Sequence, residues 1–167
     1  ALAIIATDRA AGAHRVDRSA VHCFDHRLVA QAASLDPSVA RGVLEVSYPV
    51  DPTAAARPMD ARDLWRHRDF IDEPFVRAAH AEGRRVVAWT VNDAAQMRRF
   101  AAWGVDAICT DDVALARETL RKLEVQAPAA NTAAIEATAV SVRRVRAVVI
   151  VSHFFPRRSP ALGTRFE

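Results

Sequence analysis

The stretch Val86-Val87-Ala88-Trp89-Thr90-Val91-Asn92-Asp93, with Gly104-Val105-Asp106-Ala107-Ile108-Cys109-Thr110-Asp111 shortly after it, decides how this chain is read. Residues 86–91 form a short apolar run rich in β-branched side chains, which favours a strand. Asn92-Asp93 then offers an N-cap, 94–103 has helical character, and Gly104 closes the helix. Residues 105–110 repeat the strand pattern, and Asp111-Asp112 caps a second helix that runs to about Lys122. The two strands begin about twenty residues apart with a helix between them. That spacing is a βαβ unit, in which parallel neighbouring strands are joined by a right-handed crossover. Both strands are almost wholly apolar, as expected when each face of a sheet is covered.

Reading outward extends the alternation. Residues 20–24 are a short apolar run, after which Asp25 can cap a helix with apolar positions Leu28, Val29, Ala32 and Leu35. Asp36-Pro37 ends that helix. Residues 42–46 predict the next strand. Residues 49–70, containing Pro49, Pro52 and Pro58, predict a long loop with a helical turn over 60–65. Asp72-Glu73-Pro74 starts a helix that Gly83 stops, with Phe75, Val76, Ala79 and His80 along one side. Four parallel strands are therefore expected, near 20–24, 43–46, 86–91 and 107–110. Beyond residue 122 the pattern changes. Residues 123–140 are Ala-rich and read as a linker, and 141–167 form a basic tail whose residues 145–151 make a strong strand candidate that could open a second domain.

The composition, 51% hydrophobic and 26% charged over 167 residues, is that of a globular domain able to bury a core. The net charge of +3 suggests an anionic partner only until the charge is located. From Ser141 onward six arginines face Glu167 alone, a balance of +5, which leaves −2 for the remaining 140 residues. The globular part is not basic, and no nucleic-acid partner is expected. No apolar run reaches 18 residues, so no membrane span is expected. The opening residues 1–6 lack a basic leader, the chain has no initiating Met, and it begins in mid-pattern, so it reads as a fragment without a signal peptide. Cys23 and Cys109 each sit in an apolar run with no metal-type spacing. Free buried thiols and a cytoplasmic setting are the expectation.

The segments Val21-His22-Cys23-Phe24-Asp25, Ala78-Ala79-His80-Ala81-Glu82-Gly83, Val86 to Asp93 and Gly104 to Asp111 together resemble the glycerophosphodiester phosphodiesterase family. In order they are similar to that family's fifth-strand Ser-Phe-Asp segment, the helix before its seventh strand, its Trp-Thr-Val-Asn strand, and its closing Gly-Val-Asp-Gly-Ile-Thr-Asp strand. The match covers about residues 15–121. Cys23 replaces a usual Ser, Ala107 a common Gly, and Val113 a common Pro, all at structural positions. The resemblance implies an α/β fold, the C-terminal half of a TIM-type (β/α)8 barrel, over residues 1–122. A whole barrel takes about 250 residues, and the four βα units expected here cannot close one. Open strand edges then favour self-association.

The resemblance also implies function: hydrolysis of glycerophosphodiesters to glycerol phosphate and an alcohol, with a divalent cation (calcium or magnesium). The family's catalytic histidines and its cation-binding carboxylates belong to strands one to four, outside the matched segments. The expected substrate-binding residues are Trp89, Phe24 and Asn92, all at strand C-terminal ends, where barrels build their sites. Each has a plainer alternative: core packing for Trp89 and Phe24, helix capping for Asn92. His22 and His26 straddle one strand-to-helix junction and do not share a helical face. Asp111 and Asp112 are explained as caps. Residues 145–156 faintly resemble the opening strand of a nucleotide-sugar glycosyltransferase. Two further readings stand beside the hydrolase: a non-catalytic half-barrel that acts as an interaction module, and a vestigial barrel fused to a glycosyltransferase.

Overall fold

A computed structural model of the chain describes residues 20–126 and 146–148. Among these, six strands form one parallel sheet in chain order: β1 (Ala20–Cys23), β2 (Ala40–Glu45), β3 (Asp63–His67), β4 (Arg85–Trp89), β5 (Ala107–Cys109) and β6 (Arg146–Val148). Four helices connect or follow them: α1 (His26–Leu35) after β1, α2 (Glu73–Ala81) after β3, α3 (Ala94–Trp103) after β4 and α4 (Val113–Gln126) after β5. All five ladders are parallel.

The helices start where short acidic side chains reach forward to free backbone N–H groups. Asp25 accepts from the N–H of Arg27, Asp72 from Phe75, Asp93 from Gln96 and Asp112 from Leu115. Each such cap is worth about 1 kcal/mol. Gly104 ends α3 in the left-handed region at φ 84°, where a Cβ is disfavoured.

Strand residues divide cleanly between two faces. One face packs under the helices: Val43, Leu64, Val86, Ala88 and Ile108 join Phe75, Val76, Ala79, Met97, Phe100 and Ala116 in the main core. Leu64, Met97, Phe100 and Ile108 are almost wholly buried, each contributing about 1.5–3 kcal/mol. The other face would line the interior of a barrel. Trp65, Val87 and Ala107 form its centre, with Leu44, Trp89 and Cys109 packed against them. Gly42 belongs to this face, and a Cβ there would lie 2.7 Å from Trp65 Cδ1. The missing side chain lets the indole lie across β2 and stack on His22 at 4.1 Å.

Strand β3 corrects the expected loop over 49–70 and its helical turn over 60–65. The local reason is charge. Asp63-Leu64-Trp65-Arg66-His67 carries three titratable side chains in five residues, which hides a strand that is nonetheless covered on both faces. Asp63 is 2% exposed and held by Arg62 at 2.7 Å, with Arg85 at 3.7 Å. Arg66 is completely buried on the helix-side face. Its Nη2 meets Glu45 Oε2 at 2.7 Å, its Nη1 donates to the Ser47 carbonyl, and its guanidinium lies 4.5 Å above the Phe75 ring. Burial pulls the Arg66 pKa down and Glu45 opposes the shift.

The boundary with the tail also differs from expectation. Helix α4 runs to Gln126, into the segment read as linker, and residues 146–148 pair with β5, Ala107 opposite Arg146. Three residues of the tail therefore extend the same sheet. The rest of the linker and of the tail, including Phe154 and Phe155, lies outside the described residues.

Candidate functional site

All strands run the same way, so their C-terminal ends form one rim, where Phe24, Val46, His67, Trp89 and Asp111 succeed one another. Parallel sheets place their sites at this rim, because the loops there are free to vary while the strands hold them in place. Trp89 and His67 are register partners on the barrel-side face. Their rings meet edge to face at 5.2 Å, and Phe24 meets Trp89 edge to face at 5.5 Å. The three aromatic side chains make one contiguous wall, with Phe24 half exposed at its lip. The Trp89 indole N–H is shielded from solvent and has no hydrogen-bond partner among the described residues. A buried donor left over in this way is costly unless something else occupies it.

Two expected residues, Trp89 and Phe24, are thus brought together. Asn92 takes a different position. Its Oδ1 accepts from Thr110 Oγ1 at 3.0 Å and from the Asp111 N–H at 2.9 Å, while its Nδ2 donates to Asp111 Oδ2 at 2.7 Å. The amide therefore clasps the loop after β4 to the loop after β5. Helix α3 is capped by the next residue, Asp93.

His22 lies below the rim, stacked on Trp65, and its burial holds the imidazole below its ordinary pKa. His26 sits at the start of α1 within 3.1 Å of the Leu44 carbonyl. The two do not converge. His80 Nε2 meets Asp106 Oδ2 at 2.9 Å, and the same oxygen accepts from the Val86 N–H, so this pair ties α2 to the start of β4. Burial, and then Asp111, push the Cys109 thiol up, which keeps it protonated and unreactive.

A divalent cation would need several hard oxygen ligands in one place. The rim carboxylates are spent elsewhere. Asp25 is held at a pKa of about 2 by its bonds with Arg27, Glu45 faces Arg66 on the helix side, and Asp93 and Asp112 cap helices. Among the described residues no three His, Cys, Asp or Glu side chains gather in a way that could hold a metal ion. These residues do not fit a cation site.

The fold and the aromatic rim accord with a scan against protein families, in which the glycerophosphoryl diester phosphodiesterase family matches residues 3–115. The chain belongs to that family. It is 34% identical over 82 residues to glycerophosphodiester phosphodiesterase GDPD4 of Arabidopsis thaliana, covering 46% of this chain and 25% of that protein. Among solved structures, a glycerophosphoryl diester phosphodiesterase from Silicibacter pomeroyi superposes with a TM-score of 0.63 at 24% identity, covering 73% of this chain and 43% of that one. An Oleispira antarctica phosphodiesterase in complex with the product sn-glycerol-3-phosphate follows at TM-score 0.58 and 24% identity, covering 61% and 41%. These superpositions support the partial TIM-type barrel. The chain spans less than half the length of each of these relatives.

Sequence reading missed His67 because it missed the strand that carries it. No local signal marked that strand, because each of its faces mixes charged with apolar side chains, Asp63, Trp65 and His67 on one and Leu64 and Arg66 on the other.

Proposed function

We propose that the protein carrying this chain hydrolyses glycerophosphodiesters to glycerol phosphate and an alcohol, and that this chain supplies one wall of the substrate pocket. The observation that carries the reading is the aromatic wall of Trp89, Phe24 and His67 at the C-terminal rim of a family barrel, with an unpartnered indole N–H in it. Trp89 and Phe24 pack against the carbon skeleton of the substrate, and Asn92 holds the rim behind them. The metal-dependent chemistry, with calcium or magnesium, and the acid/base groups come from outside the described residues. The two free cysteines suit a reducing, cytoplasmic setting. Among the described residues no helix is long and apolar enough to cross a membrane.

The test is turnover of glycerophosphocholine with added calcium or magnesium, by this chain alone and by the full-length protein. The chain alone is expected to be inactive, and Trp89→Ala in the full-length protein is expected to raise KM. Cation-dependent turnover by the chain alone that disappears in His22→Ala would overturn the division of labour and require a complete site within these 167 residues.

A further inference from the structure

We infer that His67 is a substrate-binding residue that donates a hydrogen bond from Nε2 to a hydroxyl of the glycerol moiety, beside Trp89. This rests on the reading of the rim as a glycerophosphodiester pocket and deepens it. Strand β3 delivers His67 to the barrel-side face in register with Trp89, and the ring is only partly exposed, at 26% of its side-chain surface. One edge of the imidazole is taken. Nδ1 accepts from the Asp69 N–H at 3.4 Å, within the turn that follows β3, and the Asp69 carboxylate stands 3.6 Å away. With Nδ1 accepting, the neutral ring carries its proton on Nε2. Nε2 is then a donor, and among the described residues it has no partner.

The ring is also held in place. It packs edge-on to Trp89 at 84° and lies 6.0 Å from Phe70, so the Nδ1 bond and two aromatic neighbours restrict its rotation. The next residue reinforces the alignment. Arg68 Nη1 donates to the Thr90 carbonyl at 2.7 Å and so ties the end of β3 to the loop that follows Trp89. A flat aromatic surface beside one fixed donor is the chemistry that receives a polyol, with C–H groups against the ring and an oxygen on the donor. A phosphate would call for converging cations, and the arginine that follows His67, Arg68, is engaged with the Thr90 carbonyl and the Asp69 carboxylate.

The experiment measures glycerophosphocholine hydrolysis by the full-length protein and its His67→Phe and His67→Gln variants, with sn-glycerol 3-phosphate and inorganic phosphate as competitive inhibitors. His67→Phe keeps a ring against Trp89 but loses the donor, whereas His67→Gln places an amide N–H near the position of Nε2. His67→Phe should raise KM and the inhibition constant of sn-glycerol 3-phosphate by about three- to tenfold with kcat nearly unchanged, the size of one neutral hydrogen bond made equally in ground and transition states. His67→Gln should recover most of that loss, and inhibition by inorganic phosphate should not move. Equal weakening of both inhibitors would move the donor to the phosphate and overturn the assignment. An unchanged KM in His67→Phe, or a loss that Gln does not rescue, would reduce His67 to a packing residue and leave the pocket reading intact. Absence of turnover in the wild-type full-length protein would instead remove the pocket reading, and this inference with it.

Discussion

The β4–α3–β5 unit and the β2–β3 stretch build neighbouring parts of one sheet by opposite means. In the first, the buried side chains of the strands and of α3 are apolar, Val86, Val87, Ala88, Met97, Phe100 and Ile108 among them. In the second, Arg41, Asp63 and Arg66 are buried among the apolar residues. Arg41 donates to the carbonyls of Pro37, Val39 and Met59, and Arg66 pairs with Glu45 and donates to the Ser47 carbonyl. Apolar burial is non-directional and tolerates small rearrangements. Buried ions are satisfied in one geometry, so the second region is the more specifically determined and the more easily broken.

The sharpest break in this contrast is Arg66→Ala. It strands Glu45 and the Ser47 carbonyl and is expected to cost about 3–5 kcal/mol in urea unfolding, whereas Arg66→Met combined with Glu45→Leu should cost far less than either single change. Arg77→Ala serves as the control, because Arg77 and its i,i+4 partner Glu73 are both largely exposed and their pairing is worth little. Equal effects of Arg66→Ala and Arg77→Ala would erase the distinction between the two regions.

A smaller effect is expected from Gly42→Ala. Its methyl group would arrive 2.7 Å from Trp65 Cδ1 and push the indole off His22, for a loss of about 1–3 kcal/mol visible as a lower Tm. A neutral or stabilising result would show that the stack is not what sets the barrel-side face of β2.

The smallest is a pH effect. Burial lowers the His22 pKa from its ordinary 6.5, against a weaker opposite pull from Asp63. Below that value the unfolded chain takes up a proton that the folded chain resists, so stability should decline as pH falls through this window and be unaffected above it. His22→Phe, which keeps the stack, should flatten that part of the pH–stability curve. An unchanged slope would place the titration elsewhere.

This contrast also explains what could be read from the sequence. Residues 86–111 announce their strands because burial there is apolar, and the capping aspartates stand immediately before each helix. Strand β3 was hidden because its buried charges imitate a surface segment, and two of their partners, Glu45 in β2 and Arg85 in β4, lie about twenty residues away, beyond the reach of local pattern. The site followed the same division. Trp89 and Phe24, proposed for the pocket wall, were reached through a motif, whereas His67 went unnoticed with its strand. The role of Asn92 depends on Thr110 and Asp111, a partnership that only the sheet register creates.

The order of the strands has a consequence for how the molecule comes to exist. Ala20 pairs with Ala40, Gly42 with Asp63, Asp63 with Arg85 and Val87 with Ala107, so each new strand docks on one synthesised about twenty residues earlier. Such a sheet can zip up from a growing chain as it emerges, each step closing only a short loop and reaching a partner already made. Among the described strands the rhythm breaks at β6, where Arg146 must find Ala107 across thirty-nine positions. That last strand therefore arrives late, onto an edge that has stood exposed for twice as long as any before it.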